Sequence, residues 1–357
     1  MTDWLPGRAC AAVLAFLALG CSGKAEPADS SGEPGDTDTD EPGDSGDTGG
    51  SGPAIAWSTV VSEDARGAWL SVWGSAADDV WIVGGQPDSG VVLRGSGSDF
   101  TEVSLPREVP ILNWVHGTGA DDVWVGGVSG TLLHWDGSDW TDHSLAVEEA
   151  VWGVFAVAPD DVYAVGGESA WGGETALARH YDGTSWSEVT VPEELAGPSN
   201  LFKVHAVSPT EVWAIGVGGV AMVGSGTSFA PAPTGVAADL VTANAAHGPL
   251  VVVGGRGTGV IMEADGAGGL ARSVQAGAGL NGVMVYPSGV AVVVGELGYS
   301  GLFDLESDTL TDVLGSSNDV LHATWGVPGG TMYAVGGNLY TTADSFEGIV
   351  LTAAAPE

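Results

Sequence analysis

Between residues 112 and 146 apolar and polar positions alternate in four short bursts, separated by turn residues: LNWVHGTGADDVWVGGVSGTLLHWDGSDWTDHSLA. A period of two over about five residues marks half-buried strands. Trp114 to Gly117 alternates into a turn at Asp121 and Asp122. Val123, Trp124 and Val125 form a compact apolar strand that Gly126 and Gly127 end. Residues 131–135 make a third strand, Asp136-Gly137 a hairpin turn, and Trp140 opens a fourth strand ending near Leu145. Four strands this short cannot bury both faces of their own sheet, so copies must stack.

Looser copies fill the chain. Aligned on the second strand, the anchors are Trp81, Trp124, Tyr163, Trp213, Val251, Val292 and Tyr333, spaced by 43, 39, 50, 38, 41 and 41 residues. That is the period of propeller blades and longer than a solenoid coil requires. Glycines follow the anchors as Gly84-Gly85, Gly126-Gly127, Gly166-Gly167, Gly254-Gly255 and Gly336-Gly337, with Gly216 and Gly295 alone in the fourth and sixth copies. Hairpins recur at Asp136-Gly137 with Trp140 and at Asp182-Gly183 with Trp186, and in weaker form at Gly97 with Phe100 and Gly226 with Phe229. The seventh copy stops after a third strand at residues 348–353. Its missing fourth strand is expected at the other end, where Ala56-Trp57-Ser58-Thr59-Val60 matches Ser185-Trp186-Ser187-Glu188-Val189. The expectation is therefore all-β: a seven-bladed propeller of four-stranded antiparallel blades, closed by an N-terminal strand that removes the free sheet edge.

The valine-aromatic-valine-glycine strand followed by an Asp-Gly-x-x-Trp hairpin resembles the blades of bacterial β-propeller lipoproteins of sialidase, WD-repeat or photosystem-assembly-factor type, over residues 55–352. The motif specifies blade geometry and little more. The Asp-box of sialidases places one residue between Asp and Gly, and Asp136-Gly137 and Asp182-Gly183 do not, so that activity is not implied.

Ahead of the repeats lie two segments of different character. Residues 1–20 carry Arg8 and an apolar run of 11 residues from Ala9 to Leu19, the make-up of a targeting signal and too short for a mature membrane span. Leu17-Ala18-Leu19-Gly20-Cys21 resembles a bacterial lipobox, with Ala18 where a leucine ordinarily stands, and the resemblance implies lipid on Cys21. An ordinary signal peptide cut nearby is the alternative. Only Cys10 and Cys21 exist, so the mature chain would hold no disulfide and rest on packing alone. Residues 22–54 are Ser, Gly, Pro, Thr and acids, with nine carboxylates against Lys24 and no aromatic, a composition that cannot bury enough surface to fold. Such a tether would reach on the order of 30 Å. The expected domains are a signal at 1–20, a lipidated cysteine with acidic tether at 21–54, and a propeller at 55–357.

Charge narrows the partners. The propeller carries 36 acidic residues against seven basic ones, which excludes nucleic acid, because phosphate contact needs clustered Lys and Arg. The expanded loops after second strands, at 168–175 and 338–347, and the longest interblade connections, at 106–110, 192–200 and 315–319, emerge on one side by propeller geometry. A ligand is expected there.

Candidate chemistry is sparse. The inner-strand ring of Trp73, His116, Phe155, His205, Ala243, Met284 and Trp325 holds two histidines but no third ligand, and is expected to pack rather than bind zinc. Asp78-Asp79, Asp121-Asp122 and Asp160-Asp161 repeat at equivalent turns, where side-chain-to-backbone hydrogen bonds are expected. Glu148, Glu149, Glu193 and Glu194 lie in interblade loops of the expected ligand face as exposed acids, and the chain offers no arginine cluster for a sialidase substrate. Trp171, Tyr299 and Tyr340 sit in loops after second strands, with glycine neighbours, where their rings would stack on a sugar or anchor a peptide. No catalytic triad, zinc motif or phosphate loop is present, and no cofactor or metal is implied. The expectation is a monomeric, exported, lipid-anchored protein of the bacterial cell envelope, facing the periplasm or on the outer membrane. It would be non-catalytic and bind an unknown protein or glycan through its loop face, with a carbohydrate-cleaving propeller and a membrane-protein assembly factor as alternatives.

Overall fold

The computed structural model describes residues 55–168, 176–195, 200–313, 319–339 and 345–357. Among them seven four-stranded antiparallel sheets form, each a blade, and the six in the chain's interior follow sequence order from inner to outer strand. The inner strands are Ala68–Ala76, Leu112–Gly119, Ala150–Ala158, Leu201–Ser208, Leu240–Asn244, Leu280–Val285 and Val320–Gly326. Second strands such as Asp122–Gly127 are buried throughout, sandwiched between neighbouring blades, which accounts for their unbroken apolar character.

The ring closes where the repeat count required. Strand Ser58–Asp64 pairs antiparallel with Glu347–Ala354, giving the last blade an outer strand from the start of the folded chain. The closing strand starts later and runs further than residues 56–60. Two register shifts, between Thr59 and Val61 and between Val61 and Asp64, carry the pairing on to Asp64 opposite Gly348. Trp57 is left ahead of the strand, and its indole Nε1 donates to Ser300 Oγ in blade six at 3.0 Å.

That displacement follows a rule that the hairpin aromatics obey around the ring. Each outer strand presents a large side chain to the second-strand anchor of the preceding blade. Trp140 stands edge-on to Trp81 at 6.2 Å and 88°, Trp186 to Trp124 at 5.7 Å and 80°, Phe229 to Tyr163 at 6.1 Å, and Phe100 to Tyr333 at 6.1 Å. Edge-to-face pairs of this kind contribute about 0.5–1.5 kcal/mol beyond the area they bury. Leu270 and Leu310 join the clusters of Trp213 and Val251 in the same way, and Trp57 joins that of Val292. Trp57 and Trp186 are thus equivalent in packing as well as in sequence.

The glycines after the anchors answer a bulge. Inner strands slip register beside them, for example between Leu201 and Lys203, and push a carbonyl toward the second strand. A Cβ on Gly216 would stand 1.8 Å from the Asn200 oxygen, and one on Gly166 equally close to that of Ala150.

Candidate functional site

The seven inner strands line a central channel, and their polar side chains reach across to the next blade. Asn113 Nδ2 donates to the Val151 carbonyl at 3.1 Å and Asn281 Nδ2 to that of Leu321 at 3.1 Å. Thr242 Oγ1 donates to Asn281 O at 2.5 Å, and Asn244 Oδ1 accepts from Val285 N at 3.0 Å. Each bond ties a blade to its successor about one repeat later in the chain.

His116 and His205 belong to this set. His116 Nδ1 accepts the Ala156 N–H at 3.1 Å, and its ring stacks on Phe155 at 3.9 Å. His205 Nε2 accepts the Ala245 N–H at 2.8 Å. Both rings are therefore held neutral as acceptors. Burial pushes each down to about 3, helped at His116 by the nearby His205. A nitrogen already occupied by a backbone N–H has no lone pair for a metal, and the two serve as interblade stitches. They line a chamber of about 370 Å³ that includes Trp73, Met284 and Trp325.

The turn acids work differently from the sequence expectation. Asp122 takes bonds from side chains rather than from the turn backbone: Thr118 Oγ1 at 2.5 Å, Trp124 Nε1 at 3.1 Å and His134 Nε2 at 2.7 Å. Asp79 is held by Ser75 and Arg94, and Asp161 by His180 at 2.8 Å. The partner comes from the third strand, since Trp124 faces His134 across the sheet and so places the imidazole over the start of its own strand. Desolvation opposes ionisation of Asp122, but its hydrogen bonds outweigh it and hold the carboxyl below its ordinary range.

On the expected ligand face, Glu148, Glu193 and Glu194 are exposed and Glu149 is half-buried, so no desolvated carboxylate pair forms there. Tyr299 is half-buried, its hydroxyl donating to Asp312 Oδ1 at 2.5 Å and its ring packed beside the core of blades five and six. It is pinned rather than projecting. Trp171 and Tyr340 lie outside the described residues, as does Cys21. Leu297, which no pattern singled out, stands 75 % exposed beside Tyr299 in a left-handed conformation at φ 55°.

Near the starts of the inner strands the channel holds a second, smaller cavity of about 60 Å³. Leu339, from the connection that follows the second strand of blade seven, lines it, so it belongs to the side of the long loops. Its polar groups are Asn113, Lys203, Thr242, Asn281 and His322, and Trp114, Trp152 and Phe202 supply apolar wall. Lys203 is 6 % exposed. Its Nζ donates to the Trp152 carbonyl at 3.1 Å and stands 3.2 Å from the centroid of the Trp114 ring. Burial drives its ammonium well below the ordinary lysine value. His322 is 8 % exposed, and burial, reinforced by Lys203, lowers it to about 4. His322 Nε2 and Asn113 Oδ1 have no hydrogen-bond partner among the described residues. The sequence signal for this site was a lone lysine inside the apolar run Leu201-Phe202-Lys203-Val204, a position where a strand reads as core.

Neither a family model nor a curated protein matches the chain. Solved structures do. A YCF48 bound to a D1 peptide aligns with a TM-score of 0.62 at 14 % identity, covering 84 % of this chain and 97 % of its own. YCF48 from Cyanidioschyzon merolae gives 0.60 at 13 %, covering 84 % and 98 %. The WD40 propeller domain of Doa1 gives 0.62 at 10 %, covering 84 % and 97 %. At these identities the likeness is one of fold.

Proposed function

We propose that this chain is an exported, lipid-anchored, non-catalytic binding module whose propeller engages a protein segment through its long-loop face. The observation that carries the reading is the exposed Leu297 on that face, on the connection of blade six. Apolar residues from several blades and connections, Trp152, Phe202, Leu339 and Phe346 among them, pack beneath the face as a buried floor. An exposed leucine on a face that also carries Glu148, Glu193 and Glu194 in water suits a partner that combines large side chains with basic ones. One of the similar folds is a propeller bound to a peptide, which fits a role in scaffolding or assembly. Carboxylates at 148, 193 and 194 that stay in water are poor general acids, which weighs against glycan cleavage.

The anchor is the second half of the proposal: Cys21 would carry lipid and residues 22–54 would hold the propeller clear of the membrane. Two measurements test it. Cys21→Ser should move the protein from the membrane fraction to the soluble one; unchanged fractionation removes the anchor. Crosslinking of the whole chain in cells should recover a membrane or envelope protein, and Leu297→Asp should reduce that recovery. Recovery unaffected by Leu297→Asp and by charge reversal at Glu193 and Glu194 would move the interface off this face.

A further inference from the structure

The small cavity on the long-loop side has donors and acceptors that the protein does not use. Lys203 has three N–H groups: one meets the Trp152 carbonyl and a second finds only the face of Trp114. In a chain of 46 acids and nine basic residues, no carboxylate among the described residues lines this cavity, and burial lowers the amine. A buried cation without an anion costs several kcal/mol. A buried polar atom without a partner costs about 1–3 kcal/mol. Asn113 Oδ1 and His322 Nε2 are two such atoms at the same cavity. Asn113, Thr242 and Asn281 already donate to backbone carbonyls, so what remains is N–H groups on Lys203, an acceptor at Asn113 Oδ1, and His322 Nε2, which donates when the neutral ring carries its proton there.

A ligand completing the set must accept two hydrogen bonds, carry negative charge and offer one donor close by. Volume sets its size. The cavity measures about 60 Å³. That is the space of about two waters, or of a carboxylate with one or two further heavy atoms. Leu70, Val241 and Leu339 give the rest of the wall no polarity to match a second charge.

We propose that this cavity binds a short 2-hydroxycarboxylate, its carboxylate received by Lys203 and His322 and its hydroxyl donated to Asn113 Oδ1. The site lies beneath the loop face proposed above for macromolecular binding, with Trp152, Phe202 and Leu339 belonging to the same buried cluster, and its polar groups all come from one chain. A carboxylate beside Lys203 favours the charged amine and so opposes the lowering that burial imposes on it. Of the other residues lining the cavity only His322 titrates, and with its ordinary value lowered to about 4 it stays neutral in the neutral range.

Calorimetric titration of the full-length protein with glycolate tests this, with propionate, which lacks the hydroxyl, and glycolamide, which lacks the charge. Saturable binding of glycolate is expected, propionate at least about fivefold weaker, and glycolamide undetected at about 10 mM. Affinity should fall as pH is raised toward the ordinary lysine range, since only the charged amine pairs with the carboxylate. Lys203→Met, which keeps the length of the side chain, should abolish binding while the circular dichroism stays native and the protein melts cooperatively at or above the wild-type temperature. His322→Gln, which retains a donor, should keep part of it. Glycolamide binding as tightly as glycolate, unaltered binding in a folded Lys203→Met protein, or no heat from glycolate would each overturn the proposal.

Discussion

Acid should open this propeller through its channel histidines before its carboxylates are involved. His116 and His205 are acceptors of backbone N–H groups from the following blade, and protonation puts a hydrogen where each bond now is. Burial lowers both to about 3, against an ordinary value of 6.5. A histidine depressed on folding contributes stability that is complete above its unfolded value and is lost as pH falls toward the folded one. Between pH 7 and pH 4 the loss comes to about 3 kcal/mol for each ring. Together that is about 6 kcal/mol, set against a total stability of roughly 5–15 kcal/mol for a domain. Carboxylates held low, such as Asp142 at about 2, are affected only below this window.

Two substitutions isolate the effect because they keep the acceptor and remove the titration. Asn at 116 puts Oδ1 where Nδ1 lies, and Gln at 205 puts Oε1 where Nε2 lies. Urea unfolding followed by tryptophan fluorescence, at intervals from pH 7 to pH 4.5, gives the comparison. The wild type should lose about 4 kcal/mol more than the His116→Asn/His205→Gln protein between pH 6 and pH 4.5. Parallel stability curves for the two proteins would refute the assignment of these rings as neutral interblade acceptors.

Three further outcomes follow from the packing. Gly216→Ala, whose methyl would meet the Asn200 carbonyl at 1.8 Å, should cost about 3 kcal/mol or more in a urea titration, and a cost under about 1 kcal/mol would mean the bulge yields freely. Lys203→Met should be more stable than wild type at pH 7, with the gap closing toward pH 10.5. A lysine lowered on folding binds its proton better in the unfolded chain, so its penalty disappears as pH rises through the unfolded value. Removal of residues 1–64 would bare the Glu347–Ala354 edge, and light scattering should then show association. A monodisperse monomer would show that closure is dispensable.

The architecture was legible because its determinants are local and repeated. The anchor fills the space between blades, the following glycine admits the bulge carbonyl, and the hairpin aromatic reaches the preceding anchor, so each leaves the same mark every 40 or so residues. Trp57 betrayed the closing strand for that reason, although the start of that strand was misplaced by two residues because the indole points into blade six. The turn acids were recognised as structural, but their partners were not. His134 and His180 lie on third strands, and only the register across the sheet shows that they reach Asp122 and Asp161. Of the proposed ligand-face aromatics, Tyr299 is committed to Asp312, a contact between loop and outer strand that no local pattern encodes.

The channel was the least legible part, since its facing residues come from seven different repeats and meet only when the ring shuts. Its two ends nevertheless treat the same kinds of side chain in opposite ways. In the larger chamber each imidazole of the ring has a backbone N–H to accept, and the bond closes one blade on the next. At the long-loop end His322 Nε2 and Asn113 Oδ1 are buried without partners among the described residues, beside a buried lysine that no described carboxylate faces across the cavity. Stability alone would favour Leu or Met at these positions, as it has at Leu70 of the same wall. Other buried polar atoms, at Trp69, Asn200 and Tyr286, also lack a partner among the described residues, so an orphaned atom alone does not mark a site. What distinguishes this cavity is that two of them line one space beside a buried lysine, and the hydroxy-acid titration asks whether a ligand supplies the missing bonds.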